Sequence, residues 1–325
     1  MEALRAGRRC IGSDINELAL FVSKVKTTVL SADEVDFLRL WFREFEKALR
    51  ISASVDGHEY RRDKGYFRHM ENQETWRHRN LIQSALHKIE SLHSERLSDF
   101  MRCVLLRSMQ LSLDGRRSVM TIGHVRSKIS EHFNEMIDDM SALVEELSRE
   151  QASMCPTIVK CNASELHNTP AITALGAPVL VLTSPPYPGL HVLYHRWQVN
   201  GRRETAAPYW IADKLDGDGA RYYTLGNRHE KELTTYFRNL RNVFSSVADI
   251  IDEETIIVQM VAFSDPEWQL PKYLEVLEEA GLAEMYLNAD GAPRIWRDVP
   301  NRKWHAERQE RRDGSRELVL FHRKA

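Results

Sequence analysis

The sequence predicts an α/β protein: a doubly wound sheet with an all-helical insertion. Three observations lead there. The runs "PVLVLTS" (178–184) and "TIIVQMVAF" (255–263) are near-continuously apolar, the composition of parallel strands covered on both faces. Strands and helical segments alternate through residues 151–325, the order of an α/β sheet. Before them, residues 31–150 repeat apolar side chains at intervals of three and four, the period of amphipathic helices.

Each element follows in chain order. "MEALRAG" reads as the tail of a helix stopped by Gly7, since glycine supplies the left-handed conformation of a helix end. "CIGSDI" is a short strand with Asp14 at its carboxyl end and Ile15 after it, and a helix begins at "NELALFVSKV". The segments "VDFLRLWFREFEKAL", "WRHRNLIQSALHKIESLHSERLSDFMRCVLLRSMQLSL" and "HFNEMIDDMSALVEELS" are helical and contain no proline. Their aromatics and leucines read as bundle core, and their arginines as a solvated face or as phosphate contacts. "TIVKCNA" (157–163) is a strand, a helix covers about 267–280 with Gly281 as its stop, and "LAEMYL" and "ELVLFHR" are expected to pair as a closing antiparallel hairpin. Residues 1–30 and 151–325 then form one core, and residues 31–150 an insertion.

The chain has 325 residues, 42% hydrophobic and 28% charged, an ordinary globular composition. Its formal net charge is -2, so any contact with nucleic acid falls to local basic patches. Cys10, Cys103, Cys155 and Cys161 form no regular framework, which fits a reducing cytosol better than a secreted scaffold. No apolar run approaches the roughly 20 residues that span a bilayer, and "MEALRAGRRC" lacks the apolar centre of a signal peptide. The chain reads as cytoplasmic, without a membrane partner.

Directly after the strand "VLVLT" stand Ser184, Pro185, Pro186 and Tyr187. Open α/β sheets bind ligands beyond the carboxyl ends of their strands. Prolines fix their own φ and hold the preceding residue extended, so the loop is stiff and its polar groups turn away from any ladder. A plain strand terminator would look similar. "TSPPY" resembles the catalytic loop of the S-adenosylmethionine-dependent amino-methyltransferases: Ser, Thr, Asp or Asn, then Pro-Pro, then an aromatic. In that family the Ser form is most often linked to the exocyclic amine of cytosine, the Asp form to that of adenine. The resemblance implies that the Ser184 hydroxyl and the Pro185 carbonyl accept hydrogen bonds from the amine. The amine lone pair then faces the methyl sulfonium, and Tyr187 stacks on a base flipped out of double-stranded DNA.

"AGRRCIGSDINELA" is similar to the segment that holds the family's second strand. Asp14, with Ile15 beside it, matches the acidic residue that bonds the cofactor's ribose hydroxyls, although a helix N-cap is also a reasonable role for Asp14. "TIVKCNASEL" is similar to the third strand, with Asn162 where a polar residue lies near the cofactor adenine. The family's Asp-Pro-Phe-x-Gly-x-Gly loop has no counterpart here; "DGDGA" (216–220) follows no strand. The resemblance implies a Rossmann-like methyltransferase sheet lacking its first, central strand, between those ending at Asp14 and Ser184. An upstream start, a truncated gene or another polypeptide supplying the Gly-rich piece would each account for this. The chain alone is expected to bind S-adenosylmethionine weakly or not at all.

Other constellations are less telling. Carbon methylation of cytosine needs a Pro-Cys nucleophile, and the chain offers only Cys155-Pro156, in the reverse order. Cys155, Cys161 and His167 match no usual zinc spacing, so no metal is expected. His191 and His195 are four apart without an intervening Glu; they border the cleft or pack locally. Arg202 and Arg203 after Gly201, and Arg302 and Lys303 beside Trp304, are basic and aromatic in the manner of phosphate contacts. A solvated loop would look the same. The expected activity is methylation of cytosine N4 in DNA, of restriction–modification type. Adenine-N6 or RNA methylation is the alternative within the class, and an inactive DNA-binding remnant or partner subunit the alternative outside it.

Overall fold

The computed structural model describes residues 1–49, 65–116, 118–147, 156–189, 195–201, 203–217, 223–227, 229–286, 294–298 and 316–325. The amino-terminal half contains α1 (Glu2–Arg5), β1 (Ile11–Asp14), α2 (Glu17–Thr27), α3 (Ala32–Ala48), α4 (Trp76–Ile89), α5 (Glu95–Leu113) and α6 (Ile122–Glu146). Then come β2 (Thr157–Lys160), a short α7 (Pro170–Thr173), β3 (Leu180–Thr183), β4 (Trp197–Val199), β5 (Arg203–Thr205) and α8 (Ala207–Ala212). The chain closes with α9 (Thr234–Ile250), β6 (Ile256–Val261), α10 (Pro266–Glu279), β7 (Leu282–Glu284), β8 (Arg294–Asp298) and β9 (Arg316–Lys324). The fold is mixed α/β with a mixed sheet. Among the described residues no helix is long and apolar enough to cross a membrane.

Two compact units divide the chain: Met1–Gly12, Asn16–Val159 and Tyr194–Asp216 form one, and Ser13–Ile15, Lys160–Leu193 and Gly217–Ala325 the other. The first is the helical unit. Its helices start where the sequence caps them. Ser31 and Glu34 form a reciprocal capping box at α3, satisfying two amides that the first turn leaves without partners. The three-four periodicity places Leu38, Phe42 and Phe45 of α3 on one buried face. There Phe42 stacks on Phe133 of α6 with ring centroids 3.8 Å apart. Burial of Leu81, Ile82, Val104, Met109 and Val125 completes this core, and removal of apolar surface from water is the main term holding such a bundle. The β4–β5 hairpin and α8, which the periodicity did not anticipate, also belong to this unit; every side chain of "APYWIA" in α8 is buried.

In the second unit β3 pairs in parallel with β6, and β6 pairs antiparallel with β9. β7 pairs antiparallel with β9, as expected, but the expected simple hairpin is not formed. β8 intervenes in the chain and takes the remainder of the same edge of β9. In-register partners share a face. One face carries Ile257, Gln259, Val261, Leu318, Leu320 and His322, all buried. Tyr273 of α10 reaches this face and donates to Gln259 Oε1 at 2.6 Å. The expectation that the apolar strands are covered on both faces is not met at β3. It lies at the end of the sheet path, and Leu180 and Leu182 are 52% and 66% exposed.

β1 and β2 form a separate two-stranded sheet. Thr157 donates to the Cys10 carbonyl at 3.0 Å, and the Cys161 amide to the Asp14 carbonyl at 3.2 Å. The partners advance in the same sense, so the pair is parallel.

Candidate functional site

The loop after β3 is held from three directions within the second unit. Ser184 follows the last residue of the strand, and its hydroxyl donates to the Met260 carbonyl of β6 at 3.0 Å. The Ser184 Oγ also lies 3.2 Å from the Tyr187 hydroxyl. Tyr187 in turn donates to Glu317 Oε1 at 2.7 Å, a short bond of the charge-assisted kind. Glu317 is the second residue of β9; its side chain is only 9% exposed and pairs through Oε2 with Arg297 Nε at 3.2 Å. Arg297 and Glu317 are register partners across the β8–β9 ladder, so the backbone itself sets the ion pair opposite the loop. Arg297 also approaches the Met260 sulfur at 3.5 Å.

From the helical side of the loop, Tyr236 of α9 donates to the Pro186 carbonyl at 2.7 Å. Burial pushes its phenol far above the usual range, with Tyr273 adding to the shift, so it is a permanent donor. Among the described residues none donates to the Pro185 carbonyl. Pro185 and Pro188 are buried, Tyr187 is half-buried and Ser184 is exposed. The loop closes at Gly189, whose φ of +70 and close approach leave no room for a side chain: a Cβ there would stand 2.2 Å from Ser264 Oγ. The arrangement thus presents an exposed hydroxyl and an adjoining tethered ring on a rigid proline frame.

Asp14 and Asn162 come together at the paired carboxyl ends of β1 and β2, where the Asp14 carbonyl takes the Cys161 amide. The helix cap is Asn16, not Asp14: its side chain accepts from the Leu18 amide at 2.9 Å. The alternative role for Asp14 therefore falls away. Asn162 caps the turn that follows it, accepting from the Ser164 amide at 3.2 Å, which leaves its NH₂ group to donate. Ile15 follows Asp14 in the same unit.

Arg203 is not in the turn after Gly201. It begins β5, paired with Val199, and the turn is made by Asn200 and Gly201 with φ of 49 and 100. It belongs to the helical unit, whereas the Ser184 loop belongs to the other. There it contributes to a basic cluster: burial pulls His69 below its usual pKa range, and the charges of Arg68 and Arg203 pull it further. Arg202, His191, Cys155, Arg302, Lys303 and Trp304 lie outside the described residues. His195 packs edge-on against Tyr209 at 6.2 Å, and His167 Nδ1 lies 2.9 Å from Ser246 Oγ.

Glu317, Arg297 and Tyr236 were not singled out from the sequence. For Glu317 a signal exists: an acidic residue opens the otherwise apolar run "ELVLFHR", and a buried acid at such a place needs partners. Tyr236 and Arg297 carry no such signal, because Tyr236 meets Pro186 across 50 residues and Arg297 meets Glu317 only through the β8–β9 ladder. Compared with protein-family models, curated proteins and solved structures, the chain matches none of them.

Proposed function

We propose that the chain is an S-adenosylmethionine-dependent methyltransferase acting on the exocyclic amine of cytosine in DNA. The observation that carries this reading is the geometry of Ser184. Its single proton is directed inward to the Met260 carbonyl, so the exposed Oγ offers lone pairs to an amine. An aromatic amine delocalises its lone pair into the ring and is a poor nucleophile. Two acceptors, Ser184 Oγ and the Pro185 carbonyl, would draw its protons and turn the lone pair out of conjugation. Tyr187 would stack on the flipped base, and no covalent intermediate is required.

The cofactor reading is supported by the position of Asp14 and Asn162 at adjoining strand ends, where the Cys161 amide bonds the Asp14 carbonyl, the usual ligand position of an open parallel sheet. Asp14 would accept from the ribose hydroxyls and the Asn162 NH₂ would reach the adenine. When bound, S-adenosylmethionine supplies an electrophilic methyl group. In the Rossmann-like sheet of this family a Gly-rich strand stands between the counterparts of β1 and β3. The 325 residues contain no such motif. The exposure of Val179, Leu180 and Leu182 at the edge strand β3 favours completion by a strand from another segment or polypeptide, since apolar edges are normally covered.

Transfer of isotope-labelled methyl groups from excess S-adenosylmethionine to genomic DNA tests the reading. The chain supplied with the Gly-rich segment or polypeptide that completes its sheet is expected to label DNA, and Ser184→Ala to reduce the rate by about 10²-fold, as for other lost transition-state donors and acceptors. Equal labelling by both proteins contradicts the role of Ser184.

A further inference from the structure

We infer that Glu317 is a positioning residue that keeps the Tyr187 proton away from Ser184, so that an incoming amine meets the Ser184 oxygen without a competing donor. The inference rests on the methyltransferase reading for its substrate, and on the local geometry for its mechanism. Tyr187 has one hydroxyl proton, and among the described residues its oxygen lies 2.7 Å from Glu317 Oε1 and 3.2 Å from Ser184 Oγ. A guanidinium can only donate, so Arg297 at 3.2 Å fixes Glu317 Oε2 as an acceptor. Both carboxylate oxygens therefore accept, and the shorter, charge-assisted bond takes the Tyr187 proton. The Ser184 proton goes to the Met260 carbonyl at 3.0 Å. The outcome is a neutral hydroxyl that behaves toward the outside as an acceptor, as a carboxylate would, without a buried charge at the reacting amine. The same tether fixes the rotation of the Tyr187 ring.

Glu317→Gln preserves shape but offers one oxygen and one NH₂. Arg297 claims the oxygen, and the NH₂ turns to the Tyr187 oxygen. The Tyr187 proton then swings to Ser184 and competes with the amine. The first readout is the ¹³Cζ NMR signal of tyrosine-labelled chain, with the Tyr187 signal identified by its loss in Tyr187→Phe. This signal is expected to move in Glu317→Gln, because the hydroxyl changes from donating to a carboxylate to accepting from an amide. An unmoved signal overturns the inference.

The second readout is methyl transfer to DNA. Glu317→Gln is expected to lower kcat about tenfold, the scale of one hydrogen bond, with KM for DNA unchanged. Tyr187→Phe in the Glu317→Gln background is expected to restore most of the loss, since no hydroxyl remains to compete. A purely structural Glu317 would show no such rescue, and its absence, or an undiminished Glu317→Gln rate, overturns the inference while leaving the methyltransferase reading in place. If the chain completed by its Gly-rich piece transfers methyl to no nucleic acid, that reading fails, and the Tyr187 signal alone decides whether Glu317 holds the hydroxyl.

Discussion

The hydroxyl of Tyr236 donates to the carbonyl of Pro186 at 2.7 Å, tying the first turn of α9 to the proline loop. Pro186 has no amide to contribute, so this carbonyl is the backbone group by which the helix grips the loop. Tyr236→Phe keeps the packing and strands the carbonyl. The expected cost is about 1–3 kcal/mol of stability, measured by urea denaturation, together with slower methyl transfer. An unchanged midpoint would mean that water replaces the phenol.

Gly189 sets the exit of the same loop. Its φ of +70 is unfavourable for any L side chain, and an added Cβ would lie 2.2 Å from Ser264 Oγ and 3.2 Å from Ser264 Cβ. Gly189→Ala is expected to destabilise the chain by about 1–3 kcal/mol. Adding Ser264→Gly should recover only part of this, because it removes the clash and leaves the backbone strain. Full recovery in thermal denaturation would show that φ contributes nothing.

The sheet core is sensitive to acid through His322. Burial pulls its pKa down to about 4, with Glu284 opposing the shift and Arg294 reinforcing it. Above the unfolded value near 6.5 both states are neutral and the group contributes no pH dependence. As pH falls below 6.5 the unfolded chain takes up a proton that the folded chain refuses. Stability is then lost progressively until about pH 4, by up to about 3 kcal/mol. His322→Gln should flatten the stability curve across that window. Parallel acid limbs for the two proteins would contradict the assignment.

Much of this architecture was legible in local chemistry. Gly7 and Gly281 end their helices with φ of 62 and 81. Pro185 and Pro186 mark the end of β3, and Asp14 the end of β1. What local chemistry could not show is long-range. Glu317 meets Tyr187 across 130 residues, and β8, with four of its five side chains exposed, carries no apolar alternation to announce a strand. The β4–β5 hairpin was read as a basic loop because Asn200-Gly201, its turn, is followed by arginines. Nor does an apolar run such as "VLVLT" reveal that its strand stands at an edge.

If Ser184 receives an exocyclic amine, as we propose, the transferred methyl group ends on that amine. Mass spectrometry of nucleosides from DNA incubated with the chain and isotope-labelled S-adenosylmethionine tests it most directly. A neutral hydroxyl at position 184, and the want of a Pro-Cys nucleophile in the sequence, predict label in N4-methylcytosine. N6-methyladenine would contradict the cytosine assignment and keep the amine mechanism, whereas label on ring carbon would contradict both.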